Sequence, residues 1–410
     1  MKNPTKNGLP PLQDAPSDSE TLWQQIVALP RPIWILSGGL FVNRFGAFVV
    51  PFLTLYLSDR GYTAVEIWWI FSAMAVGGFS AMFLGGRLAD HVGRKNTMTI
   101  ALVGGAIAVL LLWRADTLVT LMLTAFLNGI THGMYHPAAH SLMADVLPEE
   151  RRVTGFAVVR WAVNLGFACG MAAGGLLADR NFDWLFLGDA ATSLTFGLVV
   201  FFTLPHGVRT SRKLSRWAPA LRDMAANRPF LALWAANLLA ASLFFQWGAS
   251  VAKLVVDLDY SKSVYGWLMA ANGVMIALFE IPIARSVRRR PQHRVIGLGY
   301  LACGIGMAMN GFASSWIWVA AALVVFTVGE MVSMPIASAY LAVLSPEKMR
   351  GRYAGAVGLT WNIGQSLAPG LGLVLYEWNP PVLWSASLLA GGSAALILWN
   401  LGGAKGEDSA

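Results

Sequence analysis

Three of the six histidines lie in one otherwise apolar stretch, Asn-Gly-Ile-Thr-His-Gly-Met-Tyr-His-Pro-Ala-Ala-His at 128–140. His132, His136 and His140 are spaced four apart, which places them on one stripe of a helix with about 6 Å between levels. A zinc site would normally need a further ligand from another element, so it is the weaker interpretation. Packing through hydrogen bonds is the role we expect for His140. Proton binding near neutral pH is the role we expect for His132 and His136.

Arg44 lies about halfway along an apolar segment, where a cation costs at least roughly 2.5 kcal/mol if the segment spans a membrane. It should therefore face the protein interior and meet either a counter-charge or an anionic ligand. Glu330 is the one acidic residue in the middle of its own apolar segment. Lys253 and Asp189 lie nearer the ends of theirs, and we expect both to reach water.

The composition places these residues in a membrane protein. The chain has 410 residues, 56% hydrophobic and 13% charged, with a mean hydropathy of +0.55, whereas soluble domains carry about a quarter charged residues. The net charge of +8 comes from short basic clusters between apolar segments, so no nucleic-acid partner is expected. Cys169 and Cys303 lie in apolar runs, so we expect both to be core residues. The sequence indicates no cofactor.

Apolar runs of roughly 20 residues, long enough to cross the hydrocarbon core, predict an all-α fold with twelve transmembrane helices. The predicted spans are about 33–57, 65–88, 96–113, 118–145, 153–177, 184–204, 230–256, 264–287, 295–313, 315–343, 351–376 and 381–402.

Lysine and arginine are distributed asymmetrically between the predicted loops. Only Arg60, Arg114, Arg180 and Lys262 lie on one side, whereas most of the 30 basic residues lie on the side of the termini. By the positive-inside rule both termini are cytoplasmic. The predicted organisation is a tail at 1–30, a six-helix bundle at 31–204, a linker at 205–228, a second bundle at 229–402 and a tail at 403–410.

The two predicted bundles repeat each other at one fixed, ungapped shift of 198 residues. Pro137 meets Pro335 at this shift, and Asn164 meets Asn362. Two six-helix halves in the same orientation are the plan of a transporter with its site between the halves. The shift also carries His132 onto Glu330, so a titratable group stands at the same level in each half.

A loop between the second and third spans reads Gly-Gly-Arg-Leu-Ala-Asp-His-Val-Gly-Arg-Lys at 85–95. Gly86 allows close helix packing and Gly93 allows a tight turn. The full spacing resembles the loop signature of the major facilitator superfamily. The resemblance implies a cytoplasmic gate latch formed by Asp90 and Arg94, with Arg350 and Arg352 at the start of the eleventh span as partners.

Glycines recur four apart in the fifth span at Gly166, Gly170 and Gly174, a spacing that suits helix packing. This pattern resembles the antiporter signature of the drug:proton exporters in the same superfamily. That signature usually has proline where this chain has Met171, and the repeat places Pro369 at the equivalent point of the second half. A hinge is therefore expected in the second half.

Arg160 and Glu280 lie about two turns above the cytoplasmic ends of the fifth and eighth spans. The resemblance to the superfamily implies that these two helices meet across the halves, and we therefore expect a gate contact between Arg160 and Glu280. We expect Glu330, His132 and His136 to carry protons, with Glu330 leading. The expected substrate-binding residues are Arg44, Asn43, Asn164, Gln246, Trp361 and Asn362.

The predicted function is secondary transport by alternating access, as proton-coupled export of a small amphiphilic compound by a monomer in the inner membrane. Proton-coupled uptake of a peptide or organic anion is the alternative, motivated by Arg44 and by Met171 in the fifth-span motif. Arg-Phe-Gly followed by Leu-Tyr-Leu in 44–57 also faintly resembles the first helix of proton-coupled peptide transporters, although the paired glutamates of that helix are absent here. A metal-dependent membrane enzyme is remote, since Gly-x-Ser-x-Gly and His-Glu-x-x-His motifs are missing. A non-transporting receptor would tolerate loss of the loop signature, which is intact here.

Overall fold

The structure is a computed structural model that describes residues 22–148, 151–205, 217–287 and 290–401. The side chain of His136, that of Asp90 and the surroundings of Gly86 lie outside the description. All regular elements in the described ranges are helices. They are α1 Leu22–Val27, α2 Arg31–Phe45, α3 Val49–Asp59, α4 Ala64–Val92, α5 Arg94–Arg114, α6 Leu118–Val146, α7 Arg152–Arg180, α8 Asp183–Thr203, α9 Trp217–Ala226, α10 Arg228–Phe245, α11 Ser250–Asp257, α12 Lys262–Val287, α13 Gln292–Met309, α14 Trp316–Leu344, α15 Arg350–Trp378 and α16 Pro380–Trp399, with short 3₁₀ turns at Gln246–Gly248, Asn310–Phe312 and Glu347–Met349.

Ten helical segments among the described residues are long and apolar enough to cross a membrane. The two predicted spans that are not among the ten correspond to α6 and α15, which carry the histidine stripe and the sequence Asn-Ile-Gly-Gln at 362–365 respectively. The all-helical membrane fold is therefore confirmed, while the count of twelve and the cytoplasmic termini stay predictions.

The first predicted span is broken, as α2 ends at Phe45 and α3 begins at Val49. Pro51 explains the break, because proline lacks the N–H that would bond to residue 47 and its ring clashes with that carbonyl. The seventh span breaks at nearly the same level, between Phe245 and Ser250. By contrast, α15 continues through Pro369 without a break, so the described helices place the interruptions at the first span of each half.

Helix boundaries confirm the repeat. α14 begins 198 residues after α6 begins and ends 198 residues after it ends, and α15 is related to α7 in the same way. Helix pairing repeats as well, since α5 packs against α6 and α8 while α13 packs against α14 and α16. Likewise α2 packs against α7, and α10 packs against α15.

The chain forms two compact units. The first comprises residues up to Val49 together with the chain from Val76 into the linker, and the second comprises Val50–Ala75 together with the rest. Each has its own apolar core: Ile33, Leu102 and Phe196 are buried in the first, and Leu233, Tyr300 and Leu398 are buried in the second. The predicted bundle boundaries at 204 and 229 stay a prediction. The grouping of Val50–Ala75 shows that the chain passes between units at the break in the first span.

Candidate functional site

Arg44 lies one residue before the end of α2 and is half-buried. Its charge interacts with Tyr135 and His132 on α6 and with Asp189 on α8. Of the two partners expected for Arg44, a counter-charge or an anionic ligand, the first is present within its own unit as Asp189. Ser242 and Ser387 stand at the repeat-equivalent positions of Arg44 and Asp189, so this opposite-charge relationship belongs to the first half alone.

Asp189 is the functional candidate that sequence reasoning placed wrongly. We expected it to reach water, but it is half-buried, and its Oδ2 accepts a hydrogen bond from the backbone N–H of Val49 at 3.3 Å. Val49 is the first residue of α3, whose first N–H groups have no partner within the helix. The signal in the sequence was Pro51, because a broken helix needs an acceptor for its new N-terminus.

Asn43 also lies beside this break. Its Nδ2 donates to Ser193 Oγ at 3.1 Å, and Ser193 Oγ donates to Asp189 Oδ1 at 3.4 Å. Asn43, predicted as a substrate ligand, is thus connected to Asp189 through one hydroxyl group.

His132 lies midway along α6, and its side chain is exposed yet close enough to Arg44 for their charges to interact. The predicted proton role of His136 falls on a side chain outside the description. His140 stacks on Phe156 of α7, with ring centroids 5.6 Å apart. It therefore packs against a neighbouring helix, and the hydrogen bonds expected for it stay a prediction.

In the second unit, Glu330 is half-buried at the middle of α14. Asn272 of α12 donates its Nδ2 to Glu330 Oε2 at 3.2 Å and to Thr327 Oγ1 at 3.0 Å. Thr327 is fully buried and also donates to the Leu323 carbonyl at 2.7 Å. Asn272 was not predicted, since a single asparagine in an apolar run carries no spacing signal.

Trp361 belongs to an aromatic group on the second unit. Its ring lies 5.4 Å from Phe244 and 6.1 Å from Phe245, edge to face in both cases. Phe326, one residue before Thr327, lies 5.4 Å from Trp247. Phe326 also lies 6.5 Å from Phe244, so this aromatic group reaches α14 one turn before Glu330.

Gln246 is already engaged by the protein. Its Nε2 donates to the Ala368 carbonyl at 2.7 Å, and its Oε1 accepts from Ser250 Oγ at 2.6 Å. These bonds join the break in the seventh span to α15. Asn164 and Asn362 are half-buried on α7 and α15, and a substrate role for all three stays a prediction.

Arg94 forms a salt bridge with Asp145 near the C-terminal end of α6, and its Nη1 donates to the Ser141 carbonyl at 2.7 Å. Asp145 was not predicted as a partner, and the side chain of Asp90 lies outside the description. Gly93 has φ of 91°, which confirms the tight turn that glycine was expected to permit. Arg350 is exposed and Arg352 half-buried at the start of α15, so their latch role stays a prediction.

Arg160 lies on α7 and Glu280 on α12, in different units. Arg160 is exposed and Glu280 is half-buried. Their predicted gate contact stays a prediction.

The glycines of α7 pack directly on the end of α2. A methyl group added at Gly170 would lie 2.4 Å from the Phe45 carbonyl oxygen, and one added at Gly166 would lie 2.6 Å from that of Phe41. Gly174, one turn further, is also buried. The expected packing role of Gly166 and Gly170 therefore has a definite partner, the segment that leads into the break.

Comparison with known proteins agrees with this architecture. A sequence profile of the Major Facilitator Superfamily matches residues 36–252 and 238–405. The Na(+), Li(+), K(+)/H(+) antiporter of Planococcus maritimus is 29% identical over 397 residues, covering 87% of this chain and 93% of that protein. The quinolone resistance protein NorA of Staphylococcus aureus is 24% identical over 260 residues, covering 61% of this chain and 66% of that protein.

Among solved structures, a POT family transporter in complex with 5-aminolevulinic acid is similar with a TM-score of 0.74. It covers 92% of this chain and 98% of its own at 15% identity, so the likeness concerns the fold. The profile match extends over most of the chain. It agrees with the loop signature, the parallel repeat and the helical membrane fold. This chain belongs to the major facilitator superfamily, whose members are transporters and not enzymes.

Proposed function

We propose that this protein is a twelve-helix secondary transporter of the inner membrane, with both termini in the cytoplasm. It works as a monomer by alternating access and exchanges protons for a small amphiphilic compound that it exports. Two relatives support antiport and efflux: one is named for exchange of Na⁺, Li⁺ and K⁺ with H⁺, and the other for quinolone resistance.

The observation that carries the proposal is Glu330, a half-buried carboxylate at the middle of a membrane helix, bound by Asn272 at 3.2 Å. An ionised carboxylate is costly in hydrocarbon, and protonation removes that cost. The hydrogen bond from Asn272 stabilises the ionised form, so Glu330 can also release its proton. A carboxylate held between these two effects is suited to binding and releasing a proton once per transport cycle.

The aromatic group beside Glu330 supports an amphiphilic substrate. Phe244, Phe245 and Trp361 offer ring faces and edges that suit flat or apolar parts of a ligand. Polar parts of the same ligand would meet half-buried amides such as Asn362. We propose that substrate and proton compete for the electrostatic environment of Glu330.

Proteoliposome transport tests this proposal. Purified protein is reconstituted with a pH gradient of either sign and given a panel of lipophilic cations, peptides and organic acids. We expect uphill movement of an amphiphile against the proton flow, and we expect Glu330→Gln to abolish it while leaving exchange of labelled for unlabelled substrate. Full gradient-driven transport by Glu330→Gln would refute the role of Glu330.

Exchange of alkali cations for protons is a second candidate function, favoured by the 29% identity to the cation antiporter. In the same vesicles it would appear as collapse of a pH gradient on addition of Na⁺, Li⁺ or K⁺ without any amphiphile. Proton-coupled uptake of a peptide or organic anion, motivated by Arg44, would appear as movement of those solutes in the direction of proton flow.

A further inference from the structure

The break in the first span has a feature that the second break lacks. At residues 46–48 the acceptor for the new helix N-terminus is a carboxylate, since Asp189 Oδ2 receives the Val49 N–H at 3.3 Å. At the break in the seventh span the bound groups are neutral: Ser250 Oγ donates to Gln246 Oε1 at 2.6 Å. The two repeat-related breaks are thus bound by different groups. The first is bound by a titratable carboxylate, whereas the second is bound by neutral side chains.

The residues before the first break are fixed by close packing. Gly166 and Gly170 bring the backbone of α7 against Phe41 and Phe45 of α2, where even a methyl group would meet backbone oxygens at 2.4–2.6 Å. Packing of this kind allows little independent movement of α2. The end of α2, including Arg44, therefore belongs firmly to the first unit.

One face of α8 lines the break itself. A methyl group added at Gly46 would lie 1.9 Å from Thr192 Oγ1, and one added at Gly188 would lie 3.0 Å from the ring of Phe48. Asp189 lies between these contacts and bonds to Val49, while the chain passes into the second unit at Val50. Asp189 thus bonds to the last residue of the first unit's N-terminal segment, immediately before the chain passes into the second unit.

The charged surroundings of Asp189 are simple. Helices α2, α5 and α7 pack against α8. On α2, Arg44 is the group whose charge acts on Asp189. α5 carries charges at its ends, as Arg94, Lys95 and Arg114. α7 carries Arg160 and Cys169 between its charged ends.

His132 and Tyr135 of α6 act on Arg44, so they influence Asp189 through the arginine. An ionised Asp189 is stabilised by Arg44 and by the positive N-terminal end of α3. A protonated Asp189 loses the attraction to both.

We propose that Asp189 is a second proton-binding site of this transporter, and that its protonation releases the outer part of the first span from the break at 46–48. The inference rests on the proposed proton-coupled transport, to which it adds a residue and a moving element. Glu330 and Asp189 then bind protons in different units. Protonation of Asp189 weakens its bond to Val49 and allows α3 to move.

The test measures movement without measuring transport. Spin labels are placed on Arg60→Cys, just after α3, and on Val119→Cys, which is exposed on α6. The background carries Cys169→Ala and Cys303→Ala, which removes both native thiols. Distance distributions are recorded by double electron–electron resonance in lipid nanodiscs at about pH 8 and about pH 5. This range covers histidine protonation and the protonation of a carboxyl group whose ionised form is disfavoured by burial.

We expect the label distance to shift between the two pH values in the otherwise wild-type protein and in Glu330→Gln. Asp189→Asn preserves the acceptor for Val49 but cannot bind a proton, so its distribution should be the same at both pH values. Asp189→Glu should keep a pH response. Ser250→Ala, which alters the neutral break in the seventh span, is the matched control and should also respond to pH.

A pH response in Asp189→Asn equal to that of the wild type would overturn the inference and leave Asp189 as a structural cap. Loss of the response in His132→Gln but not in Asp189→Asn would assign the titration to His132 and would equally overturn it. Since the distances are recorded without substrate or gradient, failure of Glu330 as the transport proton carrier would leave this result standing. Size-exclusion elution at the wild-type volume shows that each variant is folded.

Discussion

Asn272 on α12 donates its side-chain amide to the Glu330 carboxylate on α14, with Nδ2 and Oε2 3.2 Å apart. Replacing Asn272 by Ala removes a hydrogen bond that favours the ionised carboxylate. Glu330 should then hold its proton to higher pH. We expect the pH of half-maximal exchange in proteoliposomes to rise by about one unit, because a hydrogen bond to a charged group contributes about 1.5 kcal/mol or more.

Thr327→Val provides the comparison for this variant. Thr327 accepts from Asn272 and donates to the Leu323 carbonyl, so it acts on Glu330 through Asn272 and its loss should move the pH of half-maximal exchange by much less. Equal shifts in the two variants would mean that Asn272 acts on Glu330 only by holding the helices together.

Gly170→Ala should destabilise the protein, because the added methyl group would lie 2.4 Å from the Phe45 carbonyl oxygen, which cannot move aside. Overpacking of this kind costs about 1–3 kcal/mol. The measurement is the midpoint of thermal unfolding in detergent, which should fall.

Gly38→Ala is the matched control on the partner helix, since nothing lies within 4 Å of the position that its methyl group would occupy. Alanine forms helix better than glycine by about 1 kcal/mol, so the midpoint should stay or rise. A fall of the same size in both variants would contradict the packing explanation.

Arg94 and Asp145 form a salt bridge whose side chains are only 17% and 13% exposed. Removing one partner leaves a largely buried charge, so Asp145→Asn should destabilise the protein by about 1.5–3 kcal/mol. A thermal double-mutant cycle with Arg94→Gln measures the coupling directly. Additive losses would show that the two residues stabilise the protein separately.

Tyr353 is fully buried at the start of α15 and donates to Asp223 of the linker helix α9 at 2.6 Å. It also receives a hydrogen bond from Asn227 at 3.4 Å. Tyr353→Phe should loosen α9 and let trypsin cleave more readily at the nearby Arg222, which is exposed but held in the helix. Because one such bond contributes about 1 kcal/mol, cleavage should accelerate by about fivefold.

Tyr300→Phe controls for general loss of stability. Tyr300 is also fully buried and hydrogen-bonded, to Asn237, but it lies on α13 away from the linker. Cleavage at the linker that accelerates equally in both variants would point to global unfolding instead of release of α9.

Local and repetitive features of the sequence were enough to predict much of this protein. Apolar runs predicted the helices, because a backbone in hydrocarbon must satisfy its own hydrogen bonds. The shift of 198 residues was confirmed by helix ends such as Arg152 and Arg350, and the loop signature predicted the superfamily. Gly93 and the glycines of α7 were predicted because their conformational and steric roles depend on their immediate neighbours.

Tertiary structure alone decided which polar groups meet. Asp189 was expected in water because it lies two turns from a helix end, and only the broken first span beside it supplies the N–H of Val49 and the charge of Arg44. Asn272 and Asp145 likewise gained their partners from helices distant in sequence. Spacing along one helix fixes which side chains share a stripe, whereas the partner across from that stripe depends on packing. The histidine stripe at 132, 136 and 140 was therefore visible in the sequence, and the arginine beside His132 was assigned by the fold.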